Sequence, residues 1–123
     1  MVRKTQVVKH FELRGGKGDV EFHHIISEEE MMGHGAMYAK MVLKPGSSIG
    51  WHCHPSDKDP YYVISGTGKY IDSDGTDTLI YPGDVCYMDI GGAHSIENIS
   101  DSENLEIMAL KLNRVEFYCY TIL

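Results

Sequence analysis

Apolar residues in this chain come in short runs, such as Tyr61-Tyr62-Val63-Ile64 and Ile107-Met108-Ala109, separated by polar and glycine-bearing stretches. A period of two is the signature of half-buried β-strands, whose side chains point to opposite faces in turn. The pattern predicts strands over Val20–Ile26, Ala36–Leu43, Gly50–His54, Tyr61–Ser65, Gly68–Asp72, Thr78–Tyr81, Val85–Met88, His94–Asn98, Leu105–Leu112 and Val115–Tyr120. Ser27–Met32, with its three consecutive glutamates, reads as one short helical turn. Turns are signalled by Lys44-Pro45-Gly46, Ser73-Asp74-Gly75 and Pro82-Gly83-Asp84, and 13 glycines fall mostly between the runs. About ten short strands so punctuated predict an all-β sandwich or barrel.

Strand parity also assigns faces. Asp59 precedes Pro60 and is biased to extended backbone. If it faces inward, Tyr61, Val63 and Ser65 share its face and Tyr62 and Ile64 turn away. The same rule places Ile96 and Asn98 beside His94. It places Ile49, Trp51 and Cys53 opposite His52 and His54, with Cys53 expected as a packed core thiol.

The 123 residues suffice for one domain, 1–123, and are 42% hydrophobic. The formal charge is −7 and no long basic cluster exists, which points away from nucleic acid and anionic membranes. No run approaches the ~18 apolar residues of a membrane helix, and the start does not read as a signal peptide. Cys53, Cys86 and Cys119 are odd in number and form no Cys-x-x-Cys, which fits a reduced cytoplasm.

The candidate chemistry lies in two blocks. The first holds Gly46, then His52-Cys53-His54, Asp59 and Gly66. The second holds Gly83, Asp89-Ile90-Gly91, His94 and Asn98. His52 and His54, two apart on a strand, aim two imidazoles one way. With His94 and Asp59 they make an N3O set suited to one divalent transition metal, among Mn, Fe, Co, Ni, Cu and Zn. Asp59 is one methylene shorter than glutamate, so direct ligation, contact through a water and no contact all stay open; Asp57 is a second carboxylate in the same loop. Tyr61 is the candidate phenol for hydrogen bonding or general-acid catalysis. His24 could line a pocket and His34 reads as exposed. Arginine is scarce, and only Arg14, in Arg14-Gly15-Gly16-Lys17-Gly18, is placed to anchor an anion at a mouth.

These blocks resemble the two motifs of the cupin family over 46–66 and 83–98, with every spacing kept and two residue types changed. Asp59 stands where the family has Glu, and Asp89 where it has Pro. The start resembles small single-domain bacterial cupins, some labelled oxalate-decarboxylase-like. The resemblance implies a double-stranded β-helix (jelly-roll) barrel, a homodimer, and metal on His52, His54, Asp59 and His94. It also implies a small-molecule partner, an oxygen-rich carboxylate, hydroxyketone or sugar. Turnover by a metal-dependent oxygenase, decarboxylase, isomerase or lyase is one expectation; a binding or sensing module is the alternative, and a metal-free structural protein a third.

Overall fold

The computed structural model describes residues 1–113. Eleven strands run in chain order: β1 (Gln6–Phe11), β2 (Asp19–Ile26), β3 (Gly35–Leu43), β4 (Ser48–Cys53), β5 (Asp57–Lys58), β6 (Tyr61–Ser65), β7 (Gly68–Ile71), β8 (Asp77–Ile80), β9 (Val85–Cys86), β10 (Ala93–Asn98) and β11 (Leu105–Asn113). The larger sheet has the order β1-β2-β3-β11-β6-β9, with β5 added on β11; the smaller has β4-β10-β7-β8. All the pairings are antiparallel. The fold is all-β, the double-stranded β-helix.

The core fills the space between the sheets. Val20, Ala39, Leu43, Val63, Leu105, Ile107 and Ala109 are wholly buried. They come from alternate positions of β2, β3, β6 and β11, so the period-two pattern is what brings these apolar residues together. Burying each valine, leucine or isoleucine among them contributes about 1.5–3 kcal/mol, which offsets the ordering of the strands.

Nine of the expected strands lie where the pattern placed them, within a few residues at their ends. The tenth, Val115–Tyr120, lies outside the described residues. Ser27–Met32 is one hydrogen-bonded turn, closed by Met31 N donating to Ser27 O at 3.0 Å and stapled by reciprocal Ser27–Glu30 bonds. Two strands carry no sequence signal. β1 is a sheet edge with five of six residues exposed, and β5 has two residues.

Two expectations on β4 need correction. Ile49 is buried and faces the interior with His52, not away from it. The cause is a β-bulge: His94 pairs with His52 but Ile96 with Ile49, so β4 carries an extra residue and alternation breaks. Cys53 does turn away from the histidines, but the outer face of β4 is solvent, so this thiol is exposed rather than packed.

Candidate metal centre

The centre is assembled from four segments. β4 carries His52, His54 follows it, Asp59 leads into β6, and β10 brings His94 across by pairing directly with His52. One donor atom from each residue lies within 4.8 Å of the others. The Nε2 atom of His94 is 3.1 Å from that of His54 and 3.1 Å from that of His52. Asp59 Oδ2 is 3.4 Å from His54 Nε2 and 3.5 Å from His94 Nε2. His54, Asp59 and His94 are buried and His52 is half-buried.

Each imidazole is oriented from behind. His52 Nδ1 donates to the Gly50 carbonyl at 2.7 Å, and His54 Nδ1 donates to Asp57 Oδ1 at 2.7 Å. His94 Nδ1 lies 2.8 Å from the Tyr70 hydroxyl. A carbonyl and a carboxylate only accept, so neutral His52 and His54 each turn an unprotonated Nε2 inward. Burial, partly opposed by the Gly50 carbonyl, lowers the His52 pKa from 6.5 to about 4 and keeps it neutral near pH 7. The Nε2 atoms of His52 and His54 each lie 3.1 Å from that of His94, so three ring nitrogens converge on one point. Two ligands at right angles, ~2.1 Å from one ion, stand ~3.0 Å apart. Asp59 Oδ1 is moreover buried with no hydrogen-bond partner. The donor set therefore fits a metal ion, and these four residues could hold one.

Asp59 aims into the cluster despite its short side chain. Asp57 is not a spare ligand, because its carboxylate occupies the outer nitrogen of His54. Asp89, at the second changed position, is exposed and paired with Lys58 at 3.1 Å. Tyr61 is buried, stacks on His94 with ring centroids 5.0 Å apart, and brings its hydroxyl to 3.4 Å from His94 Nε2. Burial first, then the Asp59 charge, raises its pKa well above the ordinary value, so the phenol stays protonated.

The cluster opens on its His52–Asp59 side into a cavity of 170 Å³. Phe22, Met37, Met41, Ile49 and Leu13 supply apolar walls, while His10, Arg14, Tyr61 and Lys111 supply polar groups. Sequence reasoning missed Tyr70, His10 and Lys111. Tyr70 shares the inward parity of Gly68 on β7, and Lys111 that of Leu105, Ile107 and Ala109 on β11. His10 had no signal, because its strand had none. His24 lines a separate groove of 440 Å³ beside the Arg3–Glu30 ion pair, away from the centre, and His34 is exposed as expected.

The family model described as "Cupin domain" matches residues 39–111. The chain belongs to the cupin family. This cupin is 44% identical over 98 residues to an oxalate-binding protein of Thermotoga maritima, which spans 80% of this chain and 79% of the relative. A crystal structure described as a predicted oxalate decarboxylase from Thermotoga maritima superposes with a TM-score of 0.86 at 39% identity, covering 93% of this chain and 99% of the other. A protein with a double-stranded β-helix domain from Klebsiella pneumoniae gives 0.64 at 22% identity over 75% and 70% of the two chains, a likeness of fold alone. No helix of the described cupin residues is long and apolar enough to cross a membrane.

Proposed function

We propose that this cupin holds one divalent transition metal on His52, His54, Asp59 and His94 and binds a small oxygen-rich acid of oxalate size beside it. One observation carries the reading: a four-donor cluster, oriented from behind, opens at His52 and Asp59 into a 170 Å³ cavity. A cavity of 170 Å³ is small, which suits a small acid of oxalate size. The oxalate-binding relative supports the same size and charge. The bound ion would act as a Lewis acid toward a carboxylate oxygen. The chain itself supplies apolar walls that exclude water and Tyr61, a protonated phenol that can donate a hydrogen bond to the ligand.

Turnover is the second reading, and Tyr61 favours it: a buried phenol beside His94 can deliver a proton as a general acid. Oxalate decarboxylation is disfavoured, because Asp59 is the one carboxylate lining the cavity among the described residues. A reduced cytoplasmic setting belongs to the same proposal, supported by the free thiols Cys53 and Cys86.

Elemental analysis of protein purified without chelating resin tests the reading. About one equivalent of metal is expected, lost in His52→Ala, together with oxalate-dependent thermal stabilisation that chelator abolishes. Less than about a tenth of an equivalent after metal soaking would overturn it. A product from any acid in a substrate panel, lost in Tyr61→Phe with metal retained, favours the enzyme; stabilisation without product favours the binding module.

A further inference from the structure

We infer that Arg14 and Lys111 form an anion clamp at the mouth of the metal cavity, which selects small dianions over monoanions that chelate equally well. The inference rests on the proposed binding of a small acid and adds how its charge is recognised.

Lys111 breaks the pattern of its own strand. On β11 the inward positions Leu105, Ile107 and Ala109 are wholly buried, and the next inward position is a lysine. It pairs across the sheet with Met37, and both line the cavity. The register slips just after it, between Lys111 and Leu112, as strands do where a side chain is re-aimed beside a site. Lys111 is half-buried, so its stem packs along the cavity wall while its ammonium stays near the opening. The strand lysines Lys9, Lys40, Lys58 and Lys69 all pair with carboxylates. Among the described residues Lys111 and Arg14 pair with none.

Arg14 approaches from the opposite wall. It sits in a single 3-10 turn (Leu13–Gly15) at φ 55, ψ 33, two residues after Glu12 at φ 52, ψ 41. Left-handed backbone at two non-glycine residues is strain, which persists only where surrounding structure holds it and gathers at ligand sites. The turn is fastened by Glu12 N donating to Gly18 O at 3.0 Å. It also lies tight against β4: a Cβ on Gly50 would collide with the Arg14 carbonyl, and one on Gly16 with the Ser48 carbonyl. The strap thus rides on the strand that carries His52.

The charge distribution completes the case. The chain carries −7 overall, yet this cavity is lined by two basic residues and, among the described residues, one carboxylate. Screening confines distant charges to ~8 Å at physiological salt, so the cavity's own cations dominate there. A dianion meets positive charge at both ends, from the ion at the floor and from the guanidinium fork and ammonium at the mouth.

The test titrates metal-loaded protein with oxalate and with glycolate, which offers a similar chelate but one charge. Wild type, Lys111→Met, Arg14→Gln and Lys111→Arg are compared by calorimetry, with metal content measured for each. Each removal of charge is expected to weaken oxalate about tenfold and glycolate less than about threefold. Lys111→Arg is expected to keep the preference. Variants that retain the wild-type oxalate-to-glycolate ratio, or that lose both ligands equally with metal retained, overturn the clamp alone. Wild type that fails to take up metal, or takes it up and binds neither acid, overturns the underlying reading as well.

Discussion

At the scale of single residues, the residues that matter most beyond the four donors are those behind the imidazoles. Asp57 and Tyr70 hold the outer nitrogens of His54 and His94. Partners of this kind typically tune metal affinity by about 10–100-fold. Asp57→Ala and Tyr70→Phe should each weaken metal binding by that order, read by competition with a chromophoric chelator, while the circular dichroism of the fold stays unchanged. His52 gives a second expectation. Its folded pKa near 4 lies below its ordinary 6.5, so between these values the unfolded chain takes up a proton that the folded chain refuses. The His52 contribution to stability is complete above pH 6.5 and declines as pH falls through that window toward 4. Urea midpoints of metal-free wild type should therefore drop more steeply from pH 7 to 4 than those of His52→Gln. The donors were legible because strand parity and spacing name them. Tyr70 was not, because its hydroxyl meets His94 only through the pairing of β7 with β10.

At the scale of elements, β4 shows both the reach and the limit of alternation. Parity turned Cys53 away from the histidines, but it could not say that, among the described residues, no sheet packs on that side. Cys53 is exposed, while Cys86 is buried and its thiol is pushed up to about 12, chiefly by burial. Alkylation followed by peptide mapping should modify Cys53 at least about a hundredfold faster than Cys86, because the thiolate is the nucleophile and must be reached. Equal rates would contradict the burial of Cys86. The contact between the Arg14 strap and β4 gives a further expectation. Gly50→Ala should dislodge the strap and destabilise the fold by about 1–3 kcal/mol, the usual cost of overpacking. Thermal unfolding checks this, and an unchanged midpoint would show that the strap is loosely held. Strands with one buried face, such as Leu105–Asn113, were readable from their stripe of apolar residues. β1 was not, since an edge strand with mostly exposed side chains needs no such stripe.

At the scale of the whole molecule, the edges left open among the described residues of the larger sheet bear on assembly. β1 exposes Val7, Val8 and Phe11, and β9 exposes Val85. Unpaired edges bearing apolar side chains favour strand pairing with another chain. We expect a homodimer, with a sedimentation mass of twice 13.8 kDa at micromolar concentration; a mass of one chain would count against it. The sequence by itself determined the all-β class and most of the strands, and it named the four residues that could hold a metal. Period-two burial and residue spacing are local properties, and any chain that buries one face of each strand must display them. Only the tertiary structure decided that Asp59 reaches the cluster, that Asp57 and Tyr70 orient imidazoles, and that Lys111 and Arg14 share one cavity. Those facts depend on a bulge in β4, on the β7–β10 and β3–β11 registers, and on a strap laid across β4, all of them contacts between segments far apart in the chain that no local pattern encodes.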